Sequence, residues 1–498
     1  MNYVFFFPDE YRAASMGCYG NEYVKTPNFD RLAAEGTLFE NNYSAHPVCV
    51  ASRCSLMTGW YPHVAGFRTL KYYLQPWHPN FLKYIHDAGF EVHVYGKNHV
   101  FSEEVYFDCI DKYLYVDFGH GNGKHYKGNV LGAEEEDGNM NGGGRNKASL
   151  GGIAGEVKDY TMLLDPIPDE ELESLNDTKC IEAAVRAIRE WKPGDKPLFI
   201  FLPTFFPHAP YSITKQFMDM YQAEDLPPVL PPDLEGKPEL QKLIRQYREL
   251  GDTDEIVYRK IHAAYLAMCS YTDMLLGRVL TALEESGLDQ ETTVIASSDH
   301  GDWAGDWGLI EKWPNAMDDD LTKVPLIIRR PGQPAGHRVK ELTQTFDIFP
   351  TICDWEGIAI KHDQFGISLA EQVGGAAGNP ERVVFCEGGY DTREPHCFEG
   401  TGGFSMFMKP RTIYYPKMIQ QQKSPESVCR VVMLRNSRYK LNVRTNGDNE
   451  LYNMEADPTE LHNLYHEEQC QGLVNELQKE MLTWMIHTSD IVPREGHE

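Results

Sequence analysis

Two pairs of neighbouring residues in this 498-residue chain combine carboxylate and imidazole groups that bind metals. Asp9-Glu10 and Asp299-His300 each follow a short apolar run that is typical of a buried strand. Clustered carboxylates repel each other unless a cation lies between them, and Ca²⁺ and Mg²⁺ prefer such oxygen ligands. Either pair alone is compatible with a helix cap or a turn. Together the two pairs predict a site for a hard divalent cation.

Four side chains that are basic or transfer protons form the counterpart of these acids. Lys97 and His99 are two residues apart after a strand-like run, so they project to the same side if the chain is extended. His208 follows another apolar run, and Lys312 lies beyond a stretch dense in Gly and Asp. Taken singly, a lysine is usually solvated and a histidine usually packs. In an acidic chain, cations beside strand ends predict a pocket for an anionic group with a proton donor.

Cys49 leaves several interpretations open when it is considered alone. A buried, unreactive thiol is the commonest state of a single cysteine. A cysteine-type phosphatase needs five residues between Cys and Arg, whereas three separate Cys49 from Arg53, and a cysteine protease would not need the acidic cluster. A helix is predicted to start at Ser52 and to end at Gly59, and its start would offer free N–H groups and a favourable dipole to an anion.

Short strands alternate with helices along most of the chain. The predicted strands cover residues 4–7, 91–95, 198–202, 293–296 and 324–328, and the predicted helices cover 29–35, 80–88 and 256–286. This alternation indicates an α/β fold with a large, mostly parallel sheet flanked by helices, in which ligands bind beyond the carboxyl ends of the strands. Because four of these strands end in the titratable residues above, we expect those residues to meet at one edge.

A second, smaller unit is predicted after a glycine-rich linker near residue 374. Strands at 382–386, 428–434 and 439–443 and a helix at 473–487 indicate an α+β subdomain with an antiparallel sheet. The predicted units are therefore residues 1–375 and 376–498. Residues 119–155 are rich in Gly, Asn and Glu, which predicts a long loop that is either a functional lid or disordered.

The composition excludes some classes of partner. The formal net charge of −27 argues against nucleic acid, which requires a basic face, and no apolar stretch approaches the roughly 20 residues of a membrane span. The first residues lack the features of a signal peptide, and eleven scattered cysteines without CxxC pairs fit a reducing compartment. We expect a cytoplasmic protein that binds neither nucleic acid nor membrane.

The segment from Cys49 to Gly59, CVASRCSLMTG, resembles the signature of the type I, formylglycine-dependent sulfatases. That signature reads Cys or Ser, any residue, Pro or Ala, any residue, Arg, and ends on Leu-x-Thr-Gly. The resemblance continues in order through PDEYRA, TPNFDRLAAEGTLFENNYS, YGKNH, PHAPY and SSDHGDWAGDWGL to ELYNMEADPTELHNL. It covers essentially the whole chain, and it implies an alkaline-phosphatase-like fold and hydrolysis of a sulfate ester.

The resemblance also implies a role for each candidate residue. Cys49, converted to formylglycine by a maturation enzyme, would be the nucleophile as the aldehyde hydrate. Arg53 would hold the hydrate, and His99 would take its proton when the sulfated intermediate collapses. The cation, Ca²⁺ with Mg²⁺ as the alternative, would be bound by residue 49 with Asp9, Glu10, Asp299 and His300. The sulfate would be clamped by Lys97, His208 and Lys312, and either of the last two would protonate the leaving alcohol.

Three residues depart from the commonest pattern of that family. Ala51 replaces the more frequent proline, and this form matches anaerobic maturation systems, which indicates an anaerobic bacterium. Glu10 stands where many members have a second Asp. His300 stands where many have Asn, and relatives with this Asp-His pair include phosphonate monoester and phosphodiester hydrolases. That activity is one alternative; a protein that binds Ca²⁺ and a sulfated ligand without maturation of Cys49 is another. The substrate itself, a sulfated saccharide or a small aryl or steroid sulfate, stays open.

Overall fold

The computed structural model of the protein describes residues 1–117, 125–128, 160–232, 235–402, 408–410 and 412–492. Its strands are β1 (Asn2–Phe6), β2 (Thr37–Tyr43), β3 (Glu91–Tyr95), β4 (Lys112–Asp117), β5 (His125–Gly128), β6 (Leu198–Leu202), β7 (Thr292–Ser297), β8 (Lys323–Val324), β9 (Leu326–Arg329), β10 (His337–Gln344), β11 (Val384–Gly388), β12 (Val431–Arg435), β13 (Tyr439–Arg444) and β14 (Glu450–Asn453). Its α-helices are α1 (Pro27–Glu35), α2 (Cys49–Thr58), α3 (Pro62–Ala65), α4 (Phe81–Asp87), α5 (Glu103–Cys109), α6 (Asn176–Glu190), α7 (Lys215–Met218), α8 (Glu239–Tyr247), α9 (Glu255–Glu285), α10 (Asp319–Thr322), α11 (Ile348–Glu356), α12 (Ala370–Val373), α13 (Tyr415–Lys423) and α14 (Gln471–Thr488).

The larger sheet has the strand order β10-β2-β9-β7-β1-β6-β3-β4-β5, with β8 paired to β2. Its middle strands β7, β1, β6, β3 and β4 are mutually parallel, whereas β9 and β5 run antiparallel to their neighbours. The predicted large, mostly parallel sheet is therefore confirmed.

Strand β1 explains why the middle of this sheet is an uninterrupted apolar run. All five of its residues are buried. Val4 and Phe6 pack into one hydrophobic core, and Tyr3 and Phe5 pack into another on the opposite face. Alternate side chains of a strand point to opposite faces, so a strand covered on both sides by helices must be apolar throughout.

Several element boundaries differ from the sequence expectations. The strand expected over residues 324–328 is broken at Pro325 into β8 and β9, both antiparallel to their partners, because proline has no N–H for the ladder. Helix α2 starts at Cys49 rather than at Ser52. Strand β5 lies inside the 119–155 segment that was expected to be a loop, and the rest of that segment falls outside the described residues.

The smaller sheet has the order β11-β12-β13-β14 and is antiparallel throughout. Helix α14 covers it, with the Trp484 ring stacked on Phe385 at 4.2 Å between ring centroids. This confirms the small α+β unit, while its boundary at residue 375 remains a prediction. Among the described helices, none is both long and apolar enough to span a bilayer.

Candidate active site

The predicted site residues lie where adjacent parallel strands end. Strands β7, β1, β6 and β3 are neighbours in the sheet, so the loops that follow them leave from the same edge. Helix α2 and the loop after β7 add the remaining members. The structure brings all ten together, none more than 8% exposed: Asp9, Glu10, Cys49, Arg53, Lys97, His99, His208, Asp299, His300 and Lys312.

Arg53 connects three of the elements that build the site. Its Nε donates to Asp299 Oδ2 at 2.8 Å, and its Nη2 donates to Asp9 Oδ2 at 2.8 Å. Its Nη1 donates to the carbonyl oxygen of Lys97 at 3.1 Å. The rigid, planar guanidinium fixes the separation of the two carboxylates, which a flexible lysine would not do. Because Arg53 lies one helical turn after Cys49, it also fixes the start of α2 against the strand ends.

Asp9 stays ionised although it is fully buried. Lys97 Nζ lies 2.7 Å from Asp9 Oδ2, the same oxygen that accepts from Arg53. Burial alone would raise the pKa of Asp9, but the charges of Lys97 and Arg53 hold it well below its usual range. Asp9 Oδ1 has no hydrogen-bond partner among the described residues. One oxygen of Asp9 therefore binds protein cations while the other is left for a ligand.

His300 completes a set of donors that fits a divalent cation. Its Nδ1–H donates to the carbonyl oxygen of Gly301 at 2.9 Å, which leaves the lone pair on Nε2. That Nε2 lies 3.7 Å from Asp9 Oδ1 and 3.8 Å from Asp299 Oδ1, and it has no hydrogen-bond partner within the described part of the chain. Burial lowers the pKa of His300 to about 4, so the ring is neutral at pH 7. Two carboxylates and a lone pair face each other without a proton, which is the arrangement that a metal ion satisfies.

Glu10 lies between the predicted metal ligands and the residues predicted to clamp the sulfate. Its Oε2 accepts from Lys312 Nζ at 2.7 Å and lies 3.3 Å from His208 Nε2, while its Oε1 has no hydrogen-bond partner in the described residues. Ligand atoms of Asp9, Glu10 and His208 lie within 4.8 Å of one another. Burial raises the pKa of Glu10 well above its usual value, against the lowering effect of Lys312. Glu10 thus has one oxygen on Lys312 and one available to a cation.

The environment of Cys49 does not activate a thiol. Its Sγ lies 3.5 Å from His99 Nδ1, and burial raises the pKa of the thiol to about 11 in spite of nearby Lys97. A thiol with such a pKa is protonated at neutral pH and is a poor nucleophile, whereas catalytic cysteines have a depressed pKa. The surroundings of residue 49 therefore do not favour a thiolate nucleophile.

The walls of the site come from residues that the sequence did not single out. The Phe205 ring lies 4.9 Å from Lys97 Nζ and 4.8 Å from the His208 ring. Tyr73 lies 6.5 Å from His99 between ring centroids. Each is a single aromatic residue in a loop, so no spacing pattern could reveal it. The segment 390–396 holds Glu394 in an ion pair with Arg68 at 2.6 Å.

Comparison with known proteins adds the family to this geometry. The family model described as Sulfatase matches residues 1–358. Iduronate 2-sulfatase of Mus musculus is 26% identical, over 93% of this chain and 90% of that protein. The phosphonate monoester hydrolase of Agrobacterium radiobacter superposes with a TM-score of 0.73 at 19% identity, covering 99% of this chain and 100% of that one. A protein solved with its substrate D-glucosamine-2-N,6-O-disulfate gives a TM-score of 0.72 at 20% identity, covering 100% and 99%. These two superpositions establish the shared fold.

Proposed function

We propose that residue 49 acts as a formylglycine nucleophile in this chain, which belongs to the sulfatase family and is a sulfuric ester hydrolase. The observation that carries the proposal is the position of Cys49: it is the first residue of α2, 3.5 Å from His99, and one turn before the arginine that binds Asp9 and Asp299. The high pKa of the unmodified thiol also supports conversion. Formylglycine supplies, as its hydrate, a hydroxyl nucleophile and a second hydroxyl through which the sulfate ester is later released.

We infer that Asp9, Glu10, Asp299 and His300 hold a divalent cation together with residue 49, with Ca²⁺ as the first choice and Mg²⁺ as the alternative. The unpartnered oxygens of Asp9 and Glu10 and the lone pair of His300 support this assignment. The cation would stabilise negative charge on the nucleophile and on the sulfuryl oxygens.

The remaining residues of the site bind the sulfate and move protons. Lys97 and Lys312 place two ammonium groups beside the position of the ester, and both are buried, so their charges act with little screening. His208 Nδ1–H donates to the carbonyl oxygen of Ala209, and Lys312 donates to Nε2 at 2.7 Å. Burial lowers the pKa of His208 well below its usual value. Of the two candidate proton donors, Lys312 therefore carries the proton that the leaving alcohol receives.

For the substrate we propose a sulfated saccharide. The support comes from a relative named iduronate 2-sulfatase and from a protein of the same fold whose bound substrate is a disulfated glucosamine. Since Cys49 and Arg53 are both buried, the maturation enzyme must act before this segment is packed into the folded protein.

The decisive experiment compares two cysteines on the same helix. Cys49→Ala should lower sulfate release by on the order of 10⁴-fold or more while the thermal transition is kept. Cys54→Ala, which removes a buried thiol of α2 whose Sγ lies 4.0 Å from the carbonyl oxygen of Tyr72, should keep most of the activity. Mass spectrometry of the peptide containing residue 49 must show formylglycine in active protein. An active preparation in which residue 49 is entirely thiol would refute the proposal.

Assays with matched esters test the alternative activity. His300 and the phosphonate monoester hydrolase fold suggest comparing an aryl sulfate, an aryl phosphonate and an aryl phosphodiester. We expect the highest kcat/KM for the sulfate. A screen of sulfated monosaccharides would then identify the natural ester. Faster turnover of the phosphorus esters would reverse the assignment, and a residue 49 that stays an unconverted thiol in protein from the native host would favour the binding protein.

A further inference from the structure

Lys312 is backed by a buried row of alternating charges that the mechanism above does not use. Lys417 Nζ donates to Glu311 Oε1 at 2.9 Å and to the carbonyl oxygen of Lys312 at 3.3 Å. Arg248 pairs with the other oxygen of Glu311, and Glu399 Oε1 lies 3.7 Å from Lys417 Nζ. The side chains of these four flanking residues are at most 4% exposed.

Glu311 Oε1 lies within reach of two ammonium groups. Lys417 Nζ is the nearer at 2.9 Å, and Lys312 Nζ is 3.9 Å away. Lys312 Nζ instead lies 2.7 Å from both Glu10 Oε2 and His208 Nε2. Arg248 pairs only with Oε2, so without Lys417 the buried Oε1 would lack a close counter-charge and would attract Lys312. Burial would raise the pKa of Glu311, but Lys417 and Arg248 lower it to about 2, so this carboxylate is ionised.

The backbone at Glu311 is also held in an uncommon state. Its φ is +63°, in the left-handed region that residues with a Cβ rarely adopt. The Glu311 N–H donates to the Tyr211 hydroxyl at 2.7 Å, and its carbonyl oxygen accepts from the Trp303 N–H at 3.3 Å. Such a conformation persists when several surrounding contacts hold it in place. Lys417 provides one of these contacts from α13, which lies in the segment that connects β11 to β12.

We propose that Lys417 is a positioning residue that occupies Glu311 and thereby keeps Lys312 on His208 and the ester. The inference rests on the proposed function, in which Lys312 gives its proton to the leaving alcohol. Without Lys417, Glu311 draws Lys312 away from that position. The resulting loss depends on the leaving group, because a sugar alkoxide needs the proton whereas 4-nitrophenolate departs readily without it.

The test measures kcat/KM of matured full-length enzyme with two esters. These are 4-nitrophenyl sulfate and the best sulfated monosaccharide from the screen above. Lys417→Met should lower kcat/KM about 30-fold for the monosaccharide and no more than about 3-fold for the aryl ester, a part of the usual contribution of a general acid. The double variant Glu311→Gln/Lys417→Met should recover most of the monosaccharide activity, since the Glu311 carboxylate no longer competes with Glu10 for Lys312.

The matched control is Lys440→Met. Lys440 is equally buried and pairs with Asp319 and Glu460, away from the site, so its removal should lower stability without changing the ratio between the two esters. Equal losses for both esters in Lys417→Met, or a double variant no better than the single one, would overturn the inference. If Lys417→Met does not fold, Lys417→Gln makes the same comparison.

Lys312→Ala separates the inference from its premise. If this variant affects both esters equally, the assignment of Lys312 as proton donor fails, and the role of Lys417 fails with it. If Lys312→Ala is selective against the monosaccharide but Lys417→Met is not, only the role of Lys417 is refuted.

Discussion

Replacing Arg53 by methionine tests the electrostatic centre of the site most directly. The guanidinium donates to Asp9 and Asp299 at 2.8 Å each, and all three side chains are 0% exposed. Methionine fills much of the volume but leaves both carboxylates without this counter-ion. Asp9 keeps its contact with Lys97 Nζ at 2.7 Å. We therefore expect the metal-free variant to be substantially less stable than the metal-free wild type.

The expected magnitude follows from the burial of the pairs. Removing one partner of a fully buried ion pair costs about 3–5 kcal/mol, chiefly because a charge is left uncompensated. For a chain of 498 residues the entropy of unfolding is roughly 1 kcal/mol/K, so this loss lowers the Tm by about 3–5 °C.

The loss must also depend on pH in a definite direction. Against its burial, Lys97 and Arg53 hold the pKa of Asp9 well below the unfolded value of about 3.9. A depressed pKa contributes stability that is present above the unfolded pKa and is lost as pH falls through the folded one. Without Arg53 the pKa of Asp9 rises, so this contribution shrinks. The difference between wild type and variant is therefore the same at pH 7 and pH 5, and it narrows only as pH falls below about 3.9 towards the folded pKa of Asp9.

Calorimetry of chelated protein at pH 7 and pH 5, with and without CaCl₂, measures these quantities. Ca²⁺ should restore more stability to Arg53→Met than to wild type, because the ion replaces a positive charge between the same carboxylates. Arg444→Met is the control: Arg444 pairs with Glu450 within the smaller sheet, so it should lose stability but respond to Ca²⁺ like wild type. A Tm of Arg53→Met within about 1 °C of wild type at pH 7 would refute the reasoning.

Three further changes test other parts of the structure. Gly96→Ala would place a Cβ 2.3 Å from the Pro203 carbonyl oxygen, so we expect loss of activity and a lower Tm in a thermal scan. Gly89→Ala, also at positive φ but with nothing within 4 Å of the new Cβ, should have a smaller effect. Equal effects of the two substitutions would contradict the clash. Burial raises the pKa of Asp273 to about 7, so it lowers the free energy of unfolding by at most about 4 kcal/mol as pH rises from about 4 to 7. Asp273→Asn should make the free energy of unfolding, measured by urea titration, depend less on pH over this range. A pH dependence equal to that of wild type would count against the raised pKa. Removing the metal with a chelator should lower activity at least about 100-fold, and CaCl₂ or MgCl₂ should restore it, with metal content checked by mass spectrometry; full activity without metal would exclude the proposed centre.

The middle of the fold was predictable because its strands are buried on both faces. Residues 91–95 and 198–202 were predicted as strands with the bounds that β3 and β6 have. In each case the apolar run predicts the strand, and the titratable residue that follows it marks the carboxyl end. Strands β2 and β10 were missed: β2 contains Glu40, Asn41 and Asn42, and β10 lies at the edge of the sheet with exposed positions. Neither has the continuous apolar pattern of a central strand.

The site was predictable to the extent that its residues follow strands. The strand-end residues Asp9, Lys97 and Asp299 were expected at one edge, and they meet there through Arg53. Lys417 was not predicted, since it is one lysine on a helix 105 residues from the Lys312 carbonyl that it contacts. A contact between residues so far apart in sequence depends on how the α13 segment packs back against the larger sheet. No local sequence pattern predicts such a contact.

The balance of charge at the strand ends explains how a chain of net charge −27 can attract an anionic ester. Three carboxylates and three cationic side chains share the buried site, and the pKa of His208 and of His300 is lowered by burial, so both rings are neutral. Burial also raises the pKa of Glu10 well above its usual value, so the protein alone presents a pocket between neutral and weakly positive inside an acidic surface. The proposed divalent cation would make the pocket distinctly positive before a singly charged sulfate monoester enters. On this argument the metal governs substrate binding as well as the chemical step, and its removal should raise KM in addition to lowering kcat. These carboxylates and cations are Asp9, Glu10, Asp299, Arg53, Lys97 and Lys312.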